Sequence, residues 1–304
     1  MEFKVVNDIE SLLDSQYFFN QLAYIKHHNI QDEVIVFQLL NNGIVITQVY
    51  CYINDYIAKS PYRAPFGGIE VLGGVKKEDL VYFWNKIKQS FFGKGVMKCT
   101  LAMPPQCMLR EESLFDFLGE LATEIIIDKT YYCLPQKGLK LNETKRNTLV
   151  KLKKEEFIGV KMIEPIEITL AYRLLKKRYD EMAYPLTMTC DELVLAFESF
   201  PDKYHLFSLL DKNKSLAAVM FVVDVNSEIQ YIMYNASAKE YAQQSPLVLL
   251  YDYVAKEAKA SGVKLIDYGI ATVKGELNHG LAFFKQSVGG ISSDKKTYHF
   301  DWSN

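Results

Sequence analysis

The feature that most constrains the fold is an order of predicted elements that occurs twice along the chain. In each half, helices come first, an antiparallel strand meander follows, and a helix, a strand, a helix and a strand complete the series. No repeat can be aligned residue by residue, so the similarity is one of element order. A chain of 304 residues is long enough for two domains. The sequence therefore predicts an α/β protein with mixed sheets and two similar halves packed side by side.

The first half opens with a helical pattern at about Ile9–Ile25. Two strand patterns, Val34–Leu40 and Ile44–Ile53, flank Asn41-Asn42-Gly43, and an Asn-Gly pair between apolar runs is a strong signal for a β-hairpin. The elements predicted next are a short apolar strand at Ile69–Leu72, a helix at Lys77–Phe91, a strand at Val96–Ala102, a helix at Ser113–Leu121 and a strand at Glu124–Cys133.

A basic stretch at residues 137–161 separates the halves, with eight Lys or Arg residues against three Glu. It is interpreted as a connecting helix at about Asn142–Glu156. Its charge could meet a phosphate, and a solvated basic face is the alternative. We predict an N-terminal domain at 1–136, this connector at 137–161 and a C-terminal domain at 162–304.

The second half repeats the element order of the first. The predicted helices are Ile166–Arg178, Cys190–Phe200, Ser245–Ser261 and Asn278–Ser287, and the predicted strands are Tyr204–Asp211, Leu216–Val225, Glu228–Asn235, Val263–Ile270 and Thr297–Trp302.

Composition narrows the functional classes. The net charge is -2, so no global positive field exists to hold DNA or an anionic membrane. The acidic N-terminus has no apolar signal region, and the longest apolar run, Leu216–Val223, is too short to span a bilayer. Five cysteines without metal-ligand spacing predict free thiols and no metal site. These features predict a cytoplasmic protein without membrane insertion. Ser/His/Asp, P-loop, GxGxxG and HExxH patterns are missing from the sequence, which removes the usual support for a hydrolase, NTPase, dehydrogenase or metalloprotease.

Ser245-Pro246 is typical of a helix start, since Ser is a favoured N-cap and Pro suits the first helical position. Leu247, Leu250, Tyr251 and further apolar residues at helical spacing follow. A strand and a polar loop precede the helix, so free backbone N–H groups and the positive end of the helix dipole are expected together. A phosphate or pyrophosphate fits such a place. A plainly capped helix without a ligand is the alternative.

A set of motifs in this half resembles the acyltransferase domain of the GNAT superfamily. The motifs are Tyr231 and Tyr234 before the loop, Ser245-Pro246 and Leu249-Leu250, Gly262 and Asp267-Tyr268-Gly269, and finally Asn278, Phe284-Lys285 and Gly289. The chain resembles in particular the branch with two tandem GNAT-like halves, the FemAB-like and BioF2-like acetyltransferase-domain proteins. Lys145-Arg146-Asn147 and Lys151-Leu152 also resemble the element that joins the halves there. The resemblance covers about Leu141–Gly290, and the first half more vaguely through residues 60–68.

The resemblance implies acyl or aminoacyl transfer to an amine without a metal, with acetyl-CoA or another acyl-CoA as co-substrate. The acceptor amine would belong to a small molecule or a cell-envelope precursor. The catalytic candidates are Asp267, Tyr234 and Tyr268. The candidates for binding the cofactor are Tyr234, Asn235, Gln244, Ser245, Leu247, Val248, Asn278 and Lys285.

The chemistry requires a backbone donor for the reacting carbonyl and a group that takes a proton from the amine. A splayed strand ending at Tyr231–Asn235 would supply the donor. Asp267 lies on an otherwise apolar strand and faces either a cleft or a structural partner. Lys285 would hold a phosphate or carboxylate, and a surface lysine is the alternative.

One departure concerns the donor. The family's pyrophosphate loop reads Gln/Arg-x-x-Gly-x-Gly/Ala, whereas this chain has Gln243-Gln244-Ser245-Pro246-Leu247-Val248, without glycine. A loop without glycine leaves less room for backbone to approach a pyrophosphate, and a donor other than acetyl-CoA becomes more plausible.

A second candidate region is the loop Ser60–Gly68, which holds two prolines, two aromatic residues and two glycines around Arg63. Arg63 could pair with an acidic substrate group. Tyr62 and Phe66 of this loop, and Tyr184 of the second half, complete the predicted substrate-binding set. A proline-stiffened connection is the alternative.

Three functions follow as hypotheses. The first is an acyltransferase that acts on an amine with a thioester donor. The second is a FemAB-like transferase that uses aminoacyl-tRNA, and the third is a non-catalytic binding protein on a degenerate GNAT fold.

Overall fold

The computed structural model describes residues 1–28, 31–155, 157–273 and 275–303. The chain forms two compact units. The first unit consists of Met1–Lys129, Thr272–Leu277 and Ser293–Asn304, and the second of Thr130–Ala271 and Asn278–Ser292. Each unit combines helices with a mixed sheet, so the predicted fold class is confirmed.

The strands that contribute to the first unit are β1 Glu2–Val6, β2 Glu33–Asn41, β3 Ile44–Asn54, β4 Ile57–Ser60, β5 Glu70–Val71, β6 Lys98–Ala102 and β7 Glu124–Cys133, which continues into the second unit. The helices of this unit are α1 Leu22–His27, α2 Lys77–Gly93 and α3 Asp116–Leu121. The chain returns to this unit later as the small hairpin β13 Thr272–Val273 and β14 Glu276–Leu277, and as most of β15 Ile291–Asp301. The sheet order is β1-β2-β3-β4-β6-β15-β7, with β5 paired to β3.

Local sequence explains much of this unit. The predicted hairpin is confirmed, because Asn41 of β2 pairs with Ile44 of β3. Asn42 and Gly43 both have positive φ, as a two-residue hairpin turn requires. Helix α2 buries five apolar side chains at helical spacing, and they pack into the core of this unit. Those side chains are Leu80, Phe83, Trp84, Ile87 and Phe91.

The opening of the chain differs from the prediction. Instead of one helix over Ile9–Ile25, two single 3-10 turns at Ile9–Ser11 and Phe18–Asn20 precede the short helix α1. The second turn buries all three of its residues, Phe18, Phe19 and Asn20. Strand β1 was not predicted, and its pairing with β2 uses a stretch in which charged and apolar residues alternate only weakly.

The second unit begins with α4 Glu143–Leu152, β8 Ile158–Met162, α5 Pro165–Glu181 and α6 Cys190–Ser199. It continues with β9 Tyr204–Leu210, β10 Leu216–Asp224, β11 Ile229–Ser237, α7 Leu247–Ala260, β12 Leu265–Ile270 and α8 His279–Ser287. The sheet order is β7-β12-β11-β10-β9-β8. β8 pairs with β9, β9 with β10 and β10 with β11, all antiparallel, and β11 pairs with β12 in parallel.

The predicted connecting helix exists, but it belongs to the second unit. Helix α4 starts at the Asn142 cap and ends at Leu152, and Glu156 lies outside the described residues. Leu149 and Leu152 pack into the core of the second unit. Residues 158–161, which the prediction placed in the connector, form the edge strand β8 together with Met162.

The division of the chain also differs from the predicted boundaries at 136 and 162. The first unit ends at Lys129, and it includes Thr272–Leu277 and Ser293–Asn304. The reason is strand pairing, because β15 pairs antiparallel with β6 from Thr297↔Ala102 to Asp301↔Lys98. A sequence pattern can indicate that residues 297–302 form a strand, but it does not name the strand's neighbour.

Among the residues that the structure describes, no helix combines the length and the apolar character needed to cross a bilayer.

Candidate active site

Strands β11 and β12 lie parallel at the start and then separate. They pair only from Ile229↔Leu265 to Tyr231↔Asp267, although β11 continues to Ser237 and β12 to Ile270. Beyond Tyr231 the described residues contain no further pairing between the two strands. The predicted splay of this strand is therefore present, and it opens a wedge within the second unit.

A cavity of about 410 Å³ lies in this wedge. Its lining comes from the diverging strands, the C-terminal end of α5, the first residue of α7 and the first turns of α8. The predicted site residues that line it are Tyr184, Asn235, Leu247, Tyr268, Asn278 and Lys285. The structure therefore brings together six of the residues that the sequence singled out.

Lys285 is the most unusual group in the wall of the cavity. Its side chain is buried, with only 4% exposed, although the expected alternative was a surface lysine. The Nζ donates to the carbonyl oxygens of Tyr268, Gly269 and Ile270 at 2.6, 2.7 and 2.7 Å. Burial lowers the pKa of Lys285 to about 7, and the nearby Asp267 carboxylate opposes this shift. All three hydrogens of the ammonium are thus taken by carbonyls, which leaves none for a phosphate.

The three carbonyls converge because β12 contains an irregularity. Asp267 lies opposite Tyr132 of β7, but Ile270 lies opposite Thr130, so the register shifts between them. Gly269 has a φ of +73°, a conformation in which glycine lacks the usual steric penalty. This bulge turns successive carbonyl groups toward one point.

Asp267 does not line the cavity. Its carboxylate accepts a hydrogen bond from Thr130 Oγ1 at 2.6 Å and from the Gly269 N–H at 2.9 Å, and the residue is 1% exposed. These contacts stabilise the bulge of β12 at Gly269. The position fits the alternative of a structural aspartate that supports the neighbouring lysine electrostatically.

The alternation of β11 explains the place of Tyr234. Met233, Asn235 and Ser237 lie on one face of β11, since side chains alternate between the two faces of a strand, and they line the cavity together with Ile232 and Ala236. Tyr234 points to the other face, where its hydroxyl lies 2.5 Å from Thr187 Oγ1. It is buried and is not part of the lining.

The start of α8 forms one end of the cavity. Asn278 caps this helix through its Oδ1, which accepts from the Leu281 N–H at 3.0 Å. Its Nδ2 donates to the Tyr184 hydroxyl at 2.9 Å. The cap therefore also fixes Tyr184, which comes from the loop between α5 and α6.

The start of α7 differs from the prediction. The N-cap residue is Pro246 and carries no side-chain cap bond, so the prediction of Ser245 as N-cap is wrong. Ser245 has a φ of +56°, whereas a capping serine has an extended backbone. Its carbonyl accepts from the Val248 N–H at 3.0 Å. Gln244 and Ser245 are not among the lining residues, and Val248 is buried in the core.

The loop Ser60–Gly68 belongs to the first unit. Phe66 is buried, with its ring edge-on to Tyr17 and Phe19. The backbone N–H of Tyr62 donates to the Tyr50 hydroxyl at 3.0 Å, and the Arg63 carbonyl accepts from the Tyr24 hydroxyl at 2.8 Å. These contacts support the alternative of a stiff structural connection.

Several lining residues were not singled out in the sequence analysis, among them Arg178, Tyr179 and Met182. Arg178 and Met182 are one helical turn apart at the end of α5, a spacing that places them on one face. That spacing was the available signal, but it does not show which face meets the cavity. Among the described residues there is no group of three or more metal-ligating side chains.

A comparison with known protein families gives a match that contains most of this site. Residues 154–284 match the family described as "Acetyltransferase (GNAT) domain". This range contains β11, α7, β12 and most of α8, which together form the cavity.

Solved structures extend the likeness to both units. The chain is similar to FemX, with a TM-score of 0.67 and 11% identity over 92% of this chain and 90% of that one. It is similar to L-PGS from Bacillus licheniformis, with a TM-score of 0.57 and 11% identity over 85% and 82%. It is also similar to a tandem GNAT protein from the clavulanic acid biosynthesis pathway, with a TM-score of 0.53 and 11% identity over 89% and 83%. No curated protein sequence matches the chain. The fold is a tandem GNAT fold of FemAB-like type, and the predicted resemblance is confirmed.

Proposed function

We propose that the second unit transfers an acyl group to an amine, in the wedge between β11 and β12. The observation that carries this proposal is the open cavity between these strands in the GNAT domain, with the buried amine of Lys285 in its wall. The acceptor is a small molecule or a cell-envelope precursor with a primary amine.

The reaction joins the acceptor nitrogen to the donor's carbonyl carbon. The bond from that carbon to the donor's leaving group breaks, and the nitrogen loses a proton. Backbone groups of β11 beyond Tyr231 face the wedge and polarise the carbonyl. The Asn235 N–H already donates to the Tyr179 hydroxyl. The N–H groups that bind the reacting carbonyl therefore belong to other residues of β11 beyond Tyr231.

Lys285 takes up the proton. With a pKa of about 7, a substantial fraction of its side chain is neutral at neutral pH. The neutral amine has two hydrogens for the three carbonyls and a lone pair that accepts the proton, as a general base requires. Asp267 is a positioning residue in this scheme, since it holds the bulge whose carbonyls bind the Lys285 Nζ. Tyr268 contributes its backbone carbonyl, while its side chain packs against Tyr251.

Two donor classes are consistent with this chemistry. The GNAT family match supports an acyl-CoA thioester. The start of α7 supports an aminoacyl-tRNA ester instead. The Val248 N–H already donates to the Ser245 carbonyl, and the loop has no glycine that would let a pyrophosphate approach the backbone. The likeness to FemX is a likeness of fold and does not decide between them.

The first experiment measures donor binding and turnover. Thermal shift and calorimetry against acetyl-CoA, butyryl-CoA and an alanyl-RNA minihelix identify the donor, because a ligand of the folded state raises its stability. Release of CoA or deacylated RNA in the presence of an amine panel then measures transfer.

A variant within the wedge makes the test specific. Ser237 lines the cavity on β11, so Ser237→Trp fills it and abolishes binding, whereas Ser237→Ala retains it. If none of these donors binds the parent protein, the acyltransferase proposal is wrong and the non-catalytic alternative stands.

A further inference from the structure

We infer that the cavity between β11 and β12 selects an acyl group that carries no positive charge, and that Arg178 favours an acyl chain ending in a carboxylate. This inference rests on the proposed function and names the class of acyl group that the same site accepts.

The charges in the cavity wall carry the inference. Among the described lining residues, Arg178 carries a positive charge, Lys285 carries one when its amine is protonated, and none is acidic. The nearest carboxylate that acts on Lys285 is Asp267, which is buried outside the lining and is bonded to Thr130 and Gly269. Below pH 7, an ammonium group that enters the cavity therefore meets two like charges and no acidic lining residue.

Burial strengthens this discrimination. The Arg178 side chain is 19% exposed and Lys285 is 4% exposed, so solvent screens both charges poorly. The rest of the lining includes Met182, Met233, Leu247 and Phe284, which do not replace the hydration of a charged group. A neutral chain suits these side chains, and a terminal carboxylate suits a guanidinium.

Arg178 retains donors for such a carboxylate. Among the described residues, Glu181, one turn further along α5, engages the NH1 group of Arg178 alone, and a guanidinium has five N–H donors. An attacking amine is also affected by the cationic wall. Its ammonium form is disfavoured next to Lys285, so it enters as the free base, which is the nucleophilic form.

Three CoA thioesters that differ only at the end of the acyl chain test this inference. Butyryl-CoA is neutral there, β-alanyl-CoA carries an ammonium and succinyl-CoA carries a carboxylate. We expect calorimetry at pH 6, where Lys285 is protonated, to give at least tenfold weaker binding for β-alanyl-CoA than for butyryl-CoA, and the tightest binding for succinyl-CoA. Equal or tighter binding of β-alanyl-CoA would overturn the inference and leave acyl transfer intact.

Two variants assign the effect to Arg178. Arg178→Glu should reverse the order of succinyl-CoA and β-alanyl-CoA. Lys177→Glu makes the same change in charge at the exposed neighbouring residue, which is not part of the lining, and should preserve the order. An unchanged order in Arg178→Glu removes Arg178 from the inference.

The same comparison holds if the donor is an RNA ester. A lactyl-RNA minihelix replaces the amine of an alanyl-RNA minihelix by a hydroxyl, and we expect it to bind at least as tightly at pH 6. Preference for the alanyl ester at that pH overturns the inference. Failure of thioesters and RNA esters alike contradicts the proposed function itself.

Discussion

Each unit contains a pair of neighbouring parallel strands, β4 and β6 in the first and β11 and β12 in the second, and only the second pair separates before its end. In the second unit, β11 continues for six residues, 232–237, beyond its last pair with β12, and a cavity opens there. In the first unit, β4 pairs with β6 along its whole length, from Ile57↔Lys98 to Ser60↔Leu101. The following loop then returns, so that the Gly67 N–H donates to the Ala102 carbonyl at 2.9 Å.

The loop fills the place that the wedge leaves open in the other unit. Phe66 is 1% exposed, and a Cβ on Gly68 would lie 2.5 Å from Met103 Sδ, so no space remains for a larger residue. In both units a helix, α2 or α7, connects the two parallel strands along the chain. The comparison shows that this strand arrangement provides room for a ligand only where the next segment of chain stays out of it.

The largest effect is expected when the buried amine of the open wedge is removed. Lys285→Met should lower kcat/KM about 10²- to 10⁴-fold, the usual contribution of a general base. The wild-type profile of kcat/KM should rise with pH through about 7, because Lys285 must be neutral to accept the proton. The profile of Lys285→Met should lack this rise. Steady-state kinetics between pH 5.5 and 9 measure both quantities, and a profile that is the same in the two proteins contradicts the role of Lys285.

A substitution in the loop that fills the corresponding place of the first unit should change stability and leave donor binding unchanged. Phe66→Ala removes a fully buried ring from the first unit and should lower the free energy of unfolding by about 3–5 kcal/mol. Donor affinity in the second unit should stay within twofold. Urea unfolding and calorimetry test this, with Phe92→Ala as a control, since Phe92 is 45% exposed. A loss of donor binding in folded Phe66→Ala would break the contrast between the two places.

Lys285 should also make stability depend on pH. Below pH 7 its side chain is protonated in both folded and unfolded protein, so the folded state carries the whole penalty of burying the charge. Between pH 7 and about 10.5, the folded protein has lost this proton and the unfolded protein keeps it. The free energy of unfolding should therefore rise with pH in this range, by a few kcal/mol, since one pKa unit corresponds to about 1.4 kcal/mol. Denaturation of wild type and Lys285→Met at pH 6, 8 and 9.5 measures the difference, and parallel curves would contradict the lowered pKa.

A comparison of two asparagine N-caps distinguishes an effect on the cavity from an effect on helix stability. Asn278 caps α8 and Asn142 caps α4, each through its Oδ1. Asn278→Ala and Asn142→Ala should each lower stability by about 1 kcal/mol. Only Asn278→Ala also releases the Tyr184 hydroxyl, so it alone should weaken donor binding several-fold. Equal donor affinities in the two variants would remove Tyr184 and Asn278 from the site.

The smallest effect is expected at Ser245. Because its side chain does not cap α7, Ser245→Ala should change stability by less than about 0.5 kcal/mol. Thr189→Ala at the start of α6 is the matched control. Thr189 Oγ1 accepts from the Glu192 N–H at 3.2 Å, so its loss should cost about 1 kcal/mol. Thermal and urea denaturation compare the two, and a similar loss in both proteins would restore the capping role of Ser245.

Local patterns predicted much of this fold and only part of the site. The hairpin at Asn42-Gly43 depends on turn chemistry, and the strand Glu124–Cys133 on a run of β-branched and aromatic residues, and a sequence displays both directly. The triple contact of Lys285 depends on a bulge fifteen or more residues earlier, and no periodicity shows that the bulge and the helix meet. The sequence did not show the backbone conformation of Ser245 or the direction of the Tyr234 side chain for a related reason. The backbone of Ser245 is left-handed, and the face of Tyr234 depends on where the sheet opens.

The order in which a ribosome makes this chain has a consequence for the first unit. That unit receives its segment Ser293–Asn304 last, and β15 lies between β6 and β7 in its sheet. During synthesis, β6 and β7 leave the ribosome more than a hundred residues before the strand that separates them. The sheet is therefore completed only after the second unit has been synthesised, and until then two strand edges are exposed to other nascent chains. A product that stops after Gly290 keeps every residue that lines the cavity and lacks this strand, so it should be recognised as unfinished by the proteases and chaperones of the cell.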